Sequence, residues 1–263
     1  MSAYYYLAKM KILISLTYRF EVFTTIGTNF ILMVAGTFLW KAAYKGIDTV
    51  AGVNESQMIA YSIISIMLAS FFSNNVEYTL NYRIRQGEIA IDFFRPVNLL
   101  FCYLAEDIGQ SISSAANKLL PMIVIAALFI HIPAPAGIAV ALVFIASIIM
   151  SFMILWLISA TIGLLSFWAM ELGNIGAVKD GIIVLLSGKI IPLWLFPKGI
   201  QKIMAFLPFQ SIYQTPLSIY IGKLPLEQAI AALIIQLLWV AVLTLLLCST
   251  WSKARKCVMI QGG

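Results

Sequence analysis

The sequence predicts an all-α fold. The expected architecture is a polytopic membrane helix bundle with six transmembrane helices, an N-terminal interfacial helix and an outer re-entrant helical hairpin. Three observations predict it. Of 263 residues, 62% are hydrophobic and 11% charged, against roughly 45–50% and 25% in soluble domains. Several apolar runs reach the about 20 residues a helix needs to cross a bilayer. None alternates polar and apolar like a strand, and only helices or closed barrels satisfy their backbone hydrogen bonds in lipid.

In chain order, the start MSAYYYLAKMKILISLTYRFE shows no basic region ahead of an apolar run and no small-residue cleavage site, so it does not read as a signal peptide. Within it Lys11, Ser15 and Arg19 recur every four residues, and Tyr6, Met10, Leu13, Ile14 and Thr17 take the other side. Residues 1–21 therefore suit a helix in the headgroup plane, or equally the cytoplasmic start of the first span. Spans follow at 22–44 and 57–80, parted by KGIDTVAGVNES, and at 109–131 and 137–167, parted by the proline turn HIPAPAG. After WAMELGNIGAVKD come a fifth span at 177–194 and a sixth at 226–250. Between these two, residues 195–225 are apolar but interrupted by Pro197, Pro208, Pro216 and Pro225. Proline ends helices, so this segment reads as two short helices that dip in from the outer face and return. Residues 1–263 read as one membrane domain with no soluble domain.

Orientation follows from lysine and arginine. With the N-terminus inside, the inner segments hold Lys9, Lys11, Arg19, Arg83, Arg85, Arg95, Lys179, Lys253, Arg255 and Lys256. The outer ones hold Lys41, Lys45, Lys189, Lys198, Lys202 and Lys223. Every arginine then lies inside, which places both termini in the cytoplasm. The net charge of +6 is explained by this topology, without nucleic acid.

Polar residues inside the spans form two stripes. Ser70, Ser73, Asn74, Glu77 and Asn81 share a face of the second; Asp107, Gln110, Ser111, Ser114, Asn117 and Lys118 share a face of the third. Rows of this kind face protein or water, because facing lipid costs several kcal/mol. Ser73, Asn74, Glu77, Asp107, Gln110, Ser114, Asn117 and Lys118 are thus candidates for a wetted translocation path, or for glue between helices. Glu77 and Lys118 lie deepest, and the sequence does not say whether they pair. His131 reads as a solvated turn residue. Cys102, Cys248 and Cys257 have neither disulfide nor metal-ligand spacing. Ser187-Gly188-Lys189 imitates the end of a phosphate loop, but isoleucine occupies 183 and 190 where glycine and serine or threonine are required. The chain reads as no enzyme and carries no cofactor of its own.

The charge that this apolar chain does carry is concentrated in YRIRQGEIAIDFFRPVN, residues 82–98. Glu88 and Asp92 are four apart and share a helical face, with Gly87 before and Pro96 after as helix boundaries. Ile84, Ile89, Ile91, Phe93 and Phe94 are interleaved. An inner-face amphipathic helix of this kind either rests on headgroups or docks into a groove of a cytoplasmic partner.

Here RQGEIAIDFFRPVNLLFCYLAEDIGQ resembles the stretch preceding the third span in type-2 ABC exporter permeases. SGKIIPLWLFPKGIQKIMAFLPFQSIYQTPLSIYIGK (187–223) resembles the outer segment of that family, in particular a branch with SG, P, FP, LPF, P and G at similar spacings. The resemblance covers nearly the whole chain. It implies the membrane subunit of an ATP-driven exporter, paired with a second permease, identical or homologous, and with separate nucleotide-binding ATPase subunits that carry ATP and Mg. It implies a coupling helix involving Arg85, Gly87, Glu88, Asp92, Phe93, Phe94, Arg95 and Pro96. It implies an outer gate involving Pro192, Phe196, Pro197, Leu207, Pro208 and Phe209. The last inner loop has only Glu171-Leu-Gly and lacks the importer pattern. The family setting is the inner or plasma membrane of a bacterium, surrounded by lipid.

Two other classes remain in view. A secondary transporter driven by ions or protons would use Glu77, Asp107 or Lys118, and would show unwound helices in matched positions of two halves; only one broken region is visible. A lipid-directed enzyme needs acids, bases or metal ligands clustered at one depth, and this chain has one histidine.

Overall fold

The computed structural model describes residues 2–15, 19–72, 74–93, 97–130, 133–135, 137–169 and 174–261. It is an all-α membrane bundle. Five helical runs among the described residues are long and apolar enough to cross a membrane: Phe20–Ala43, Glu55–Arg85, Leu99–Phe129, Ile138–Phe167 and Leu226–Cys257.

The first helix, α1 (Ser2–Ser15), packs lengthwise on α6 (Leu99–Ser114). The Tyr4 hydroxyl accepts from the Asn98 amide at 3.1 Å, and a Cβ on Gly109 would run into the Ala8 carbonyl. Lys11 turns inward to Glu106 at 3.2 Å, while Tyr5, Tyr6, Met10 and Leu13 face away from the protein. An ammonium that meets a carboxylate costs less at this position than one facing acyl chains. α2 (Arg19–Ala43) continues outward and is almost wholly peripheral.

A hairpin too short for the hydrophobic pattern to reveal joins α2 to α3 (Glu55–Phe71): Thr49–Val50 pairs with Val53–Asn54 around Ala51-Gly52, both at positive φ. Asn54 and Gln57 then close a capping box that fixes where α3 begins. The second span is not one helix. α3 stops at Phe71 and α4 (Val76–Arg85) begins only after Asn74 and Asn75, whose side chains compete with the backbone for hydrogen bonds. After α4 come α5 (Ile89–Phe93) and α6; a π-helical turn over Ala115–Leu119 leads into α7 (Leu120–Phe129).

The central helix is α8 (Ile138–Leu164), which packs against α4 on one side and against α11 (Gln214–Tyr220) and α12 (Leu226–Gln261) on the other. A buried network locks α8, α12 and the segment before α11 together. Gln236 Nε2 donates to the Ser211 carbonyl at 2.8 Å and to Ser151 Oγ at 3.1 Å; Ser147 Oγ donates to Gln236 Oε1 at 2.9 Å. Hydrogen bonds between membrane helices contribute about 0.6–2 kcal/mol each.

The expected fifth span, 177–194, is corrected. It is a 12-residue helix, α9 (Ile175–Leu186), covering about 18 Å of a hydrocarbon core of about 30 Å. The reason lies in Ser187-Gly188. Gly188 adopts φ +79°, and a Cβ there would strike Gln214 Oε1. The freed carbonyls are bonded across the bundle: Tyr61 donates to Gly188 O and Ser65 to Lys189 O, both at 2.6 Å. Gly176 lies against Tyr78 and Gly188 against Tyr61, so α9 descends beside α4 and α3 and supplies most, not all, of a crossing.

Residues 187–223 reach into the bundle: the Ser211 carbonyl accepts from Ser151, midway along α8, and from Gln236, ten residues into α12. Short turns at Leu193–Leu195 and Pro208–Ser211 flank α10 (Lys198–Ala205). α11 then climbs from Tyr213, beside the Phe72 ring at 5.3 Å, to Tyr220, beside Phe144 at 5.0 Å. Gln57 Nε2 holds the Ile221 carbonyl at 2.8 Å, level with the start of α3.

Candidate coupling and translocation site

The charged stretch is built from the end of α4 onward. Gly87 takes φ +73°, a left-handed turn open to glycine, and reverses the chain into α5. Arg83 then clasps α5 onto α4. Its Nη1 lies 2.8 Å from Asp92 Oδ2 and its Nε 3.4 Å from Glu88 Oε2. The Tyr103 hydroxyl donates to the same Asp92 oxygen at 3.5 Å. Glu88 stays partly exposed, while Asp92 is turned inward. Asp92 is 2% exposed and forms part of the clasp rather than a displayed contact. What the foot displays is Arg85, Gln86, Gly87, Ala90 and Ile91, the last 63% exposed. Phe93 stacks on Trp251 of α12 with centroids 5.5 Å apart and planes 13° from parallel. Phe94, Arg95 and Pro96 lie outside the described residues.

Above the foot, α4 packs close to α8: a Cβ on Gly163 would sit 2.9 Å from Glu77 Cα. Glu77 is 3% exposed and bonds Lys179 of α9, itself 5% exposed. Lys179 also donates to Ser159 Oγ at 3.0 Å and lies 3.2 Å from Asp180. Ser159 Oγ in turn donates to Asn74 Oδ1 at 3.4 Å. Glu77 Oε2 and Asn74 Nδ2 are buried without a partner among the described residues. These groups border a cavity of about 250 Å³ with Phe72, Tyr78, Lys189 and Tyr213.

A second cavity, of about 300 Å³, lies on the opposite side of α4, among α1, α2, α6 and the π-helical turn. Asp107, Gln110, Ser114, Asn117 and Lys118 all line it. Asp107 accepts from Trp156 Nε1 at 3.0 Å and from the Asn75 amide at 3.4 Å. Lys118 binds Glu21 at 3.1 Å. The two deep charges singled out in the sequence thus do not pair with each other. The expected path residues divide between two cavities: Asn74 and Glu77 at one, the third-span residues at the other. Ser73 and His131 lie outside the described residues.

Within the bundle, beside α3, Gln214 gathers the expected gate. Its Oε1 accepts from the Leu193 amide at 3.1 Å and shares the Tyr61 hydroxyl, 2.8 Å away, with the Gly188 carbonyl, and its backbone N–H donates to the Ser187 carbonyl at 2.9 Å. Pro192 and Pro208 are buried; Phe196, Leu207 and Phe209 are half-buried; Pro197 is exposed at the start of α10. Gln201 Nε2 secures the Phe196 carbonyl at 2.6 Å.

Sequence reasoning missed Lys179, Glu21, Glu106, Lys11, Gln214 and Gln236. Lys179 had a readable signal: it stands two residues inside an expected apolar span, where a lysine demands an acidic partner. The partners of Gln214 and Gln236 depend on pairings far apart in sequence and carry no local signal.

A family model described as ABC-2 family transporter protein matches residues 30–262. No curated protein and no solved structure matches the chain.

Proposed function

The chain belongs to the ABC-2 family of transporter proteins, and from that premise we propose that it is the permease subunit of an ATP-driven exporter. It is a multi-pass membrane protein of a family that works with ABC ATPase subunits. In this reading ATP and Mg²⁺ are bound and turned over on separate nucleotide-binding subunits, and this chain holds no cofactor. A second permease, identical or homologous, completes the path in a lipid bilayer. Both termini face the cytoplasm, and the membrane is the plasma or inner membrane of a bacterium.

One observation carries the proposal: the foot, the lever and a buried ion pair form one continuous mechanical unit. Arg83 ties Glu88 and Asp92 of the foot to α4, and α4 carries Glu77, bonded to Lys179 of α9. A push on Ile91, Arg85 and Gly87 by an ATPase moves a lever of about 15 Å against α8 and α9. Phe93 passes the same movement to α12 through Trp251. Movement of α4 relative to its neighbours reshapes both polar cavities, where Asn74, Glu77, Asp107, Gln110, Ser114, Asn117 and Lys118 serve as path residues. The hairpin from Pro192 to Phe209 closes the outer end. No observation favours the ion-coupled alternative.

The test is co-purification from the native membrane of an ATPase subunit with the tagged full chain. Ile91→Asp changes only an exposed side chain, so the variant stays in the membrane but loses the ATPase. Equal recovery of the ATPase with wild type and variant would remove the coupling role from this foot.

A further inference from the structure

The wall of the larger cavity contains the one π-helical turn among the described residues, Ala115–Leu119, a feature that is rare and concentrates at functional sites. Facing it stand Asn75, just before α4, Thr79 of α4, and Gln110 and Ser114 of α6. Charge inside the cavity is already neutralised at both ends. Lys11 pairs with Glu106 at 3.2 Å, and Lys118 with Glu21 at 3.1 Å. Glu106 and Lys118 are twelve residues apart along one helical run, about 18 Å. Beside Glu106 the Asp107 carboxyl also lines the cavity, already held by Trp156 Nε1 at 3.0 Å and the Asn75 amide at 3.4 Å; the other groups between these ends are neutral. Among the described residues the side-chain amides of Gln110 and Asn75 make no hydrogen bond, and the Ser114 hydroxyl, in a residue 2% exposed, has no partner either. Polar side chains left unpaired at this depth are destabilising unless water or a ligand meets them.

We propose that this cavity seats the headgroup of a membrane amphiphile whose head is uncharged and rich in hydroxyl groups. The proposal names a substrate class for the exporter and rests on that reading. Each hydroxyl both donates and accepts, as do the amide and hydroxyl side chains arrayed between the ion pairs. An anionic head would have to take a lysine from Glu21 or Glu106. A phosphate–ammonium head spans only a few ångströms and cannot reach both ion pairs at once. The tail is accounted for by the outer walls: Tyr5, Tyr6, Met10 and Leu13 of α1 and Phe20 and Phe23 of α2 are exposed apolar side chains beside the cavity's Ile14 and Val22.

The experiment uses the full chain in phosphatidylcholine nanodiscs with no ATPase present. The probe is a monoglucosyl diacylglycerol carrying a diazirine next to its head. Labelling should map to residues 11–14, 20–23 and 103–118. Excess unlabelled glucosyl lipid should suppress it, while phosphatidylethanolamine, phosphatidylglycerol and free glucose should not. Gln110→Leu and Asn117→Leu leave both ion pairs intact and should each cut labelling about fivefold, the loss expected for one hydrogen bond, at an unchanged melting temperature. Should a leucine variant lose its melting transition, the wild-type competition decides alone. Labelling spread evenly around the bundle, equal competition by the phospholipids, or wild-type labelling in both variants would overturn the proposal. Because no ATPase takes part, such a failure leaves the coupling foot untouched, and loss of the ATPase in Ile91→Asp leaves this binding untouched.

Discussion

Replacing Lys179 with methionine should be among the most damaging single changes in this protein. The side chains of Lys179 and Glu77 are 4% and 3% exposed, so Lys179→Met leaves a carboxylate buried with its main partner gone. Ser159 is bonded to Asn74 and cannot replace an ammonium, and Glu77 Oε2 already lacks a partner among the described residues. Removing one member of a buried pair costs about 3–5 kcal/mol, which at about 2–4 °C per kcal/mol lowers the melting temperature by roughly 6–20 °C. The Glu77→Met change alone should lie in the same direction but lose less, because Asp180 at 3.2 Å and Ser159 at 3.0 Å still meet the ammonium. The double variant Glu77→Met with Lys179→Met should recover most of the loss, since apolar replacements of a buried pair are often neutral. It should still transport poorly, because the link from α4 to α9 is gone. Thermal melting of the four proteins in detergent forms a complete cycle. Additive losses, with no recovery in the double variant, would show that the two side chains do not act as a pair.

Three further outcomes follow from named contacts. Gly188→Val should destabilise by a few kcal/mol, because valine is disfavoured at φ +79° and its Cβ meets Gln214; limited proteolysis of the 187–223 segment would register it, and an unchanged digestion pattern would contradict it. Gln236→Leu breaks several bonds to α8 and to Ser211 and should cost about 1–3 kcal/mol, read as a lower melting temperature. Trp251→Ala should leave the foot clasped by Arg83 but remove its stack with Phe93. Transport per ATP hydrolysed should fall while the ATPase still co-purifies, and Trp251→Phe should restore it.

What the sequence made legible depended on how local each signal was. Four spans with long uninterrupted apolar runs were placed to within a few residues at most ends, though the third begins at Leu99 rather than 109. The fifth was overextended because its apolar character runs on through Ser187-Gly188, and hydropathy does not register that Gly188 is pinned by Tyr61 and Gln214. The spacing of Glu88 and Asp92 did not tell that Arg83 reaches both while burying only Asp92. The two polar stripes were visible from their periodicity. Their division between two cavities was not, because it depends on which side of α4 meets α6 and which meets α9. Lys179 could have been found by asking which acid a lysine inside a span requires.

The central claim is that an ATPase subunit touches the foot at Ile91. A photoreactive amino acid at position 91, irradiated in intact membranes, tests it directly. A cross-link to the nucleotide-binding subunit should form, and should be lost when the probe sits at the exposed Leu245 instead. Cross-links from position 91 to lipid alone, with the ATPase present in the same membranes, would contradict it.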